Sequence, residues 1–216
     1  TLVDSQKTIL QGLQVGFEAA GLPMPDRETA LSIVGRSLDE AFLDLVGLEH
    51  QDKIPVMSNA YKQAKWSRRR EGLDLDPLYP GAREAIIRVN GRDDVLLGIA
   101  TGKAMRGVKH MLDTHDLHGR FVTVQTADTS PSKPHPDMVL RAMAETGADR
   151  TRTIMIGDTG FDMAMAKAAG THALGVAWGY HDHDRLSADG ADKIIQTYAE
   201  LDLALGELLD FDKETM

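Results

Sequence analysis

From residue 95 onward, apolar runs of strand length alternate with stretches rich in helix formers, and this alternation restricts the fold more than any other feature. The strand candidates are residues 95–100, 121–125, 153–157 and 173–177, separated by helical patterns over 106–112, 136–145 and 162–169. Such spacing predicts βαβ units, hence a mostly parallel sheet covered on both faces. In open parallel sheets ligands collect outside the carboxyl ends of the strands. Polar residues at the strand tips are therefore the first candidates for a site. The run ending at Gly157 delivers Asp158 at its tip, and Asp162 follows in the first turn of a helix that stops at Gly170. Two clustered carboxylates, in a chain without cysteine, suit a hard, oxygen-seeking cation such as Mg²⁺. The plainer alternative makes Asp162 a helix N-cap and Asp158 a turn residue. Thr101-Gly102-Lys103 follows the run at 95–100, and Ser132-Lys133-Pro134-His135-Pro136 sets a lysine among turn formers just before a helix. A lysine near paired carboxylates balances their charge; the alternative is a solvated loop lysine.

Residues 6–78 carry helical patterns and no strand run. Ile9, Leu10, Leu13 and Phe17 make one apolar stripe. A second helix is expected from Asp26 as N-cap. A third begins at the capping-box pattern Ser37-Leu38-Asp39-Glu40 and buries Leu38, Ala41, Phe42, Leu45 and Val46. A fourth spans residues 52–70, with Pro55 in its first turn. Leu78-Tyr79-Pro80-Gly81 reads as the return to the α/β part. The expected division is residues 1–5 and 79–216 as an α/β core, with 6–78 as an inserted helical lobe. Val34-Gly35-Arg36-Ser37-Leu38 is a glycine-bearing turn of that lobe, suited to dip into the site. Arg36 has a planar fork for a substrate carboxylate or hydroxyl; the alternative is a surface arginine beside a C-cap glycine. His181-Asp182-His183-Asp184 offers metal-ligating side chains. Neighbours on an extended segment point to opposite sides, which disfavours one shared ion.

Taken in order, Thr101, Lys133 in its Ser-Lys-Pro setting, and Asp158 with Asp162 resemble motifs II, III and IV of the haloacid dehalogenase superfamily of phosphohydrolases. The opening Thr1-Leu2-Val3-Asp4-Ser5 is similar to the tail of motif I, D-x-D-G-T-(L/V)-x-D-S. Among its branches the chain looks most like the phosphoglycolate phosphatases and β-phosphoglucomutases. The resemblance implies a Rossmann-like parallel sheet core with an inserted α-helical cap, Mg²⁺ as cofactor, and a small phosphorylated metabolite as substrate, phosphoglycolate favoured. It implies that Asp158 binds the metal, that Thr101 hydrogen-bonds the phosphoryl group and that Lys133 neutralises it. Asp162 would orient Lys133 or a metal-bound water, and Arg36, Gly102 and Lys103 would contact substrate. The resemblance also puts an aspartate nucleophile four positions before the motif I threonine and a general acid/base two before it. Both positions precede Thr1. The expectation is that an apolar strand ending in D-x-D-G belongs upstream of residue 1, and that the chain without it is inactive and folds poorly. Gly102 departs from the family pattern, where many relatives carry asparagine, and so lacks a side chain able to bond the phosphate environment.

Composition narrows the class further. A chain of 216 residues with 42% hydrophobic content can bury a sizeable core. Without cysteine there is no disulfide framework, and the reading is a cytoplasmic protein. A net charge of −9 argues against nucleic acid as a partner, and Arg68-Arg69-Arg70 reads as a solvated helix end. No apolar stretch reaches the ~18 residues of a membrane span. Three functions stay open: a phosphatase, a phosphosugar mutase on the same core, and a non-catalytic binding protein. The oligomeric state is open as well.

Overall fold

A computed structural model describes residues 1–73 and 76–209. Residues 74–75 and 210–216, which fall within the expected lobe and core spans, lie outside the described residues. The first four helices are α1 (Gln6–Ala20), α2 (Arg27–Leu31), α3 (Leu38–Val46) and α4 (Ile54–Arg70). They enclose an apolar cluster of their own that includes Leu13, Phe17, Phe42 and Met57. The α1 stripe faces α4, and two glycines set how closely it approaches its neighbours. A Cβ on Gly12 would lie 2.5 Å from the Tyr61 ring, and one on Gly16 would lie 2.7 Å from the Phe42 ring.

Asp26 caps α2 as its sequence predicts, accepting the Thr29 N–H at 2.8 Å. The capping box expected at Ser37 does not form, because tertiary partners compete for its members. Ser37 makes no side-chain cap hydrogen bond. Its N–H donates to Ser132 Oγ at 2.8 Å, and Glu40 pairs with Arg36 at 3.0 Å. The two connections between the helical lobe and the rest run side by side. Val3 and Leu78 form an antiparallel bridge, flanked by Asp4 N–H to the Pro77 carbonyl at 2.8 Å and Tyr79 N–H to the Leu2 carbonyl at 2.9 Å.

After α5 (Ala82–Asn90) the chain alternates: β1 (Gly98–Thr101), α6 (Met105–Thr114), β2 (Thr123–Thr126), α7 (Asp137–Thr146), β3 (Ile154–Gly157), α8 (Gly160–Ala169), β4 (His172–Val176), α9 (His183–Ala188), β5 (Lys193–Ile195) and α10 (Leu201–Leu209). All strand pairs are parallel, with Thr101 opposite Thr126 and Gly157 opposite Gly175. They form two sheets, β1-β2 and β3-β4-β5, instead of one. A cavity of about 1320 Å³ reaches between them, lined by residues 95–101 on one side and 153–156 on the other. Among the described residues neither β1 nor β3 has a strand partner on that side. Residues 95–97 have strand composition, but pairing is restricted to Gly98–Thr101. Beyond it only the Leu97 carbonyl is bonded across, accepting the Val122 N–H at 2.9 Å. No helix among the described residues is long and apolar enough to cross a membrane.

Candidate active site

The tips of β1 and β3 converge although their sheets are separate, and Lys133 joins them. Its Nζ donates to the Ala100 carbonyl at 2.9 Å and to Asp162 Oδ1 at 2.5 Å. The pair is deeply buried, with Lys133 5% and Asp162 3% exposed. A buried ion pair survives only with its remaining valences satisfied. Asp162 meets that condition through Thr159, whose N–H and hydroxyl donate to Oδ2 at 3.1 and 2.8 Å. Thr159 returns the interaction by accepting the Asp162 N–H, so the two close a capping box at the start of α8. Thr159 is the N-cap and Asp162 the third residue of the helix. The sequence reading missed this, although Thr-x-x-Asp ahead of an apolar run is its signature.

Asp158 is 4% exposed and sits between Thr1 and the loop after β4. Its Oδ1 lies 2.6 Å from the Thr1 nitrogen and accepts the Thr1 hydroxyl at 2.5 Å. Its Oδ2 has no hydrogen-bond partner among the described residues. The chain passes close behind it at Gly179, where a Cβ would fall 2.2 Å from Oδ2. Trp178 Nε1–H and the Tyr198 hydroxyl both donate to the Thr1 carbonyl, at 3.1 and 2.9 Å. Tyr79 nearby is pushed up to about 12 by burial and by Asp4 and Asp158.

These residues fit a magnesium ion in a specific way. Among the described residues no group of three or more His, Asp or Glu side chains is placed to hold a metal. A single buried carboxylate with an unpartnered oxygen is what remains. Mg²⁺ is commonly held by one or two carboxylates with water completing its octahedron, so Asp158 is an adequate anchor. Asp162 is fully engaged by Lys133 and Thr159, which makes it the orienting partner of the lysine.

The remaining site residues occupy the rim. Thr101 ends β1, and its Oγ1 accepts the Lys103 N–H at 3.2 Å. Lys103 Nζ donates to Ser5 Oγ at 2.9 Å and lies 3.5 Å from Asp76 Oδ2, bridging the two connections to the helical lobe. Burial works to raise the Asp76 pKa, but Lys103 and the Ser5 and Thr8 hydroxyls outweigh it, so the carboxyl sits below its ordinary range. Gly102 has a steric role that the sequence did not reveal. A Cβ there would fall 2.5 Å from the Arg36 carbonyl oxygen and 2.8 Å from that of Gly35. The turn of the helical lobe rests on this position, and an asparagine would collide with its backbone.

Arg36 does not offer a free fork to a ligand. Nε donates to Asp44 at 2.8 Å, Nη2 to Glu40 at 3.0 Å, and Nη1 to the Lys133 carbonyl at 2.8 Å. The guanidinium also lies 5.4 Å from the centre of the Phe161 ring. Arg36 thus ties its turn to the loop that carries Lys133. In the segment 181–184, His181 is buried, Asp182 caps α9 by accepting the Arg185 N–H at 2.8 Å, and His183 and Asp184 face solvent.

A family model described as haloacid dehalogenase-like hydrolase matches residues 1–176. A protein named probable phosphatase IndB, from Dickeya dadantii, is 34% identical over 204 residues, covering 93% of this chain and 87% of its own. A phosphoglycolate phosphatase of Vibrio parahaemolyticus is 24% identical over 210 residues, covering 93% and 90%. The solved structure of a haloacid dehalogenase-like family hydrolase from Streptococcus pneumoniae superposes with a TM-score of 0.79 at 23% identity, over 94% of this chain and 93% of that one.

Proposed function

Because the chain belongs to the haloacid dehalogenase-like hydrolases, we propose that it acts as a Mg²⁺-dependent phosphatase on a small phosphorylated metabolite, through an aspartyl-phosphate. The observation that carries this reading is the convergence of Thr101, the buried Lys133–Asp162 pair and the unpartnered oxygen of Asp158 at one edge. A fold alone needs no buried charge there. Phosphate monoesters hydrolyse so slowly that a site must lower the barrier by ~20 kcal/mol. Most of that comes from position and charge, since the phosphoryl group needs little else from a protein.

Mg²⁺ bound at Asp158 would supply positive charge to the phosphoryl oxygens. Lys133, held in place by Asp162, contributes a second positive charge, and the Thr101 hydroxyl donates a hydrogen bond. By the family resemblance the nucleophile would lie on an extended apolar segment leading into Thr1. Such a segment would pair with the open edges of β1 and β3, fill the cavity between them and arrive beside Asp158, where the Thr1 nitrogen already lies 2.6 Å from Oδ1. Its first aspartate attacks phosphorus as the ester P–O bond breaks, and its second protonates the leaving oxygen. Water then cleaves the acyl phosphate, giving up its proton to the same second aspartate. Residues 6–78 serve as the cap that screens this chemistry from solvent.

The test is phosphate release by the protein extended with its upstream segment, assayed on phosphoglycolate, hexose phosphates and p-nitrophenyl phosphate. Phosphoglycolate is the favoured substrate, as in the Vibrio parahaemolyticus relative's name. We expect phosphate release in Mg²⁺ and none in a chelator. Isomerised sugar phosphate without phosphate release would make the protein a mutase, and turnover unaffected by a chelator would remove the metal from the account.

A further inference from the structure

His181 is 5% exposed, and its three hydrogen bonds join the loop carrying Asp158 to the helical lobe. Its backbone N–H donates to the Asp158 carbonyl at 3.1 Å. Its ring Nδ1 lies 2.8 Å from the N–H of Gly160, an amide in the first turn of α8 that has no partner inside the helix. A backbone N–H can only donate, so Nδ1 is unprotonated and the ring carries its proton on Nε2. Nε2 lies 3.0 Å from the Ser32 carbonyl and donates to it. The tautomer is thus dictated by its neighbours, and the ring runs as a bridge from α8 to the residue that follows α2. Phe161, 5.6 Å away between ring centres, packs against it.

Ser32 opens the turn that leads to Arg36 and Ser37. The rest of that turn is seated on the same three loops of the site. Gly35 lies against Thr159, where a Cβ would fall 2.9 Å from Oγ1. The Gly35 and Arg36 carbonyls press on Gly102, the Arg36 guanidinium holds the Lys133 carbonyl, and the Ser37 N–H holds Ser132. The bond from His181 is the side-chain contact at the start of this segment. We propose that His181 is a positioning residue: it fixes residues 32–37 over the site from the loop that carries Asp158, so that the lobe is placed relative to the carboxylate and not merely packed nearby.

The amide side chains of asparagine and glutamine separate the two halves of this bridge. An asparagine oxygen sits where Nδ1 sits and can still accept from Gly160, but cannot reach Ser32. A glutamine nitrogen sits where Nε2 sits and can still donate to Ser32, but leaves Gly160 unpaired. The measurement is hydrogen exchange at the amides of Arg36, Ser37 and Gly160 in the parent protein and in His181→Asn, His181→Gln and His181→Ala. The expected result is exchange at Arg36 and Ser37 about two- to tenfold faster in the Asn and Ala variants, the effect of one lost hydrogen bond. The Gln variant should match the parent there and exchange faster only at Gly160. If the Ala variant fails to fold, the Asn and Gln variants decide alone. Protection of residues 36–37 by Asn, or its loss in Gln, would overturn the proposal and leave His181 as a support for α8 only.

Discussion

Replacing Lys133 by alanine should slow hydrolysis of every phosphate monoester by about a hundred- to a thousandfold, the usual cost of removing one preorganised stabiliser of transition-state charge. Lys133 would contact the phosphoryl group, which all substrates share, so phosphoglycolate and p-nitrophenyl phosphate should lose in the same proportion. The same substitution should cost about 3–5 kcal/mol of stability, because Asp162 is left as a buried charge without its partner. Activity and stability can be separated. Lys133→Met combined with Asp162→Asn removes both charges, and should regain much of the stability while leaving turnover depressed. Denaturant unfolding and kcat/KM on the two substrates check both parts. A loss confined to one substrate would move Lys133 from the phosphoryl group to the recognition of the remainder.

The second large effect is expected at Asp158. Asp158→Asn preserves shape but removes the charge, and Asp162 cannot take its place, since it is committed to Lys133 and Thr159. Anything that binds only the folded state raises its stability in proportion to the logarithm of ligand concentration. The parent protein should therefore melt at higher temperature as Mg²⁺ is added, and Asp158→Asn should not respond. Turnover should fall with it. Ca²⁺ should occupy the parent site yet inhibit, because its larger and looser shell disturbs in-line geometry. Full Mg²⁺ stabilisation of Asp158→Asn would place the metal elsewhere.

What could be read from the sequence was the local part. Strand-length runs ending in polar residues pointed to Asp158 and Thr101, turn formers ahead of a helix pointed to Lys133, and the stripe Ile9, Leu10, Leu13, Phe17 located the first helix, because each signal lies within one segment. Contacts between distant segments were not visible. The Ser37 capping box is correct as a local pattern, yet the Ser37 amide goes to Ser132, ninety-five positions away. Arg36 was assigned to substrate because its partners Asp44, Glu40 and the Lys133 carbonyl come together only in the fold. Gly102 looked like a lost side chain, where the fold makes it a contact surface for the lobe. His181 was weighed only as a metal ligand among its sequence neighbours, while its actual bonds reach to Gly160 and Ser32.

On the proposed mechanism, a carboxylate in a segment leading into Thr1 would carry the phosphoryl group between two chemical steps. Acid quenching of the extended protein during steady turnover, followed by peptide mapping, tests this directly. The predicted result is one phosphoryl group on the aspartate four positions before Thr1, lost when that residue is replaced by asparagine. A phosphoryl group on any residue from Thr1 onward, or none during active phosphate release, would contradict it.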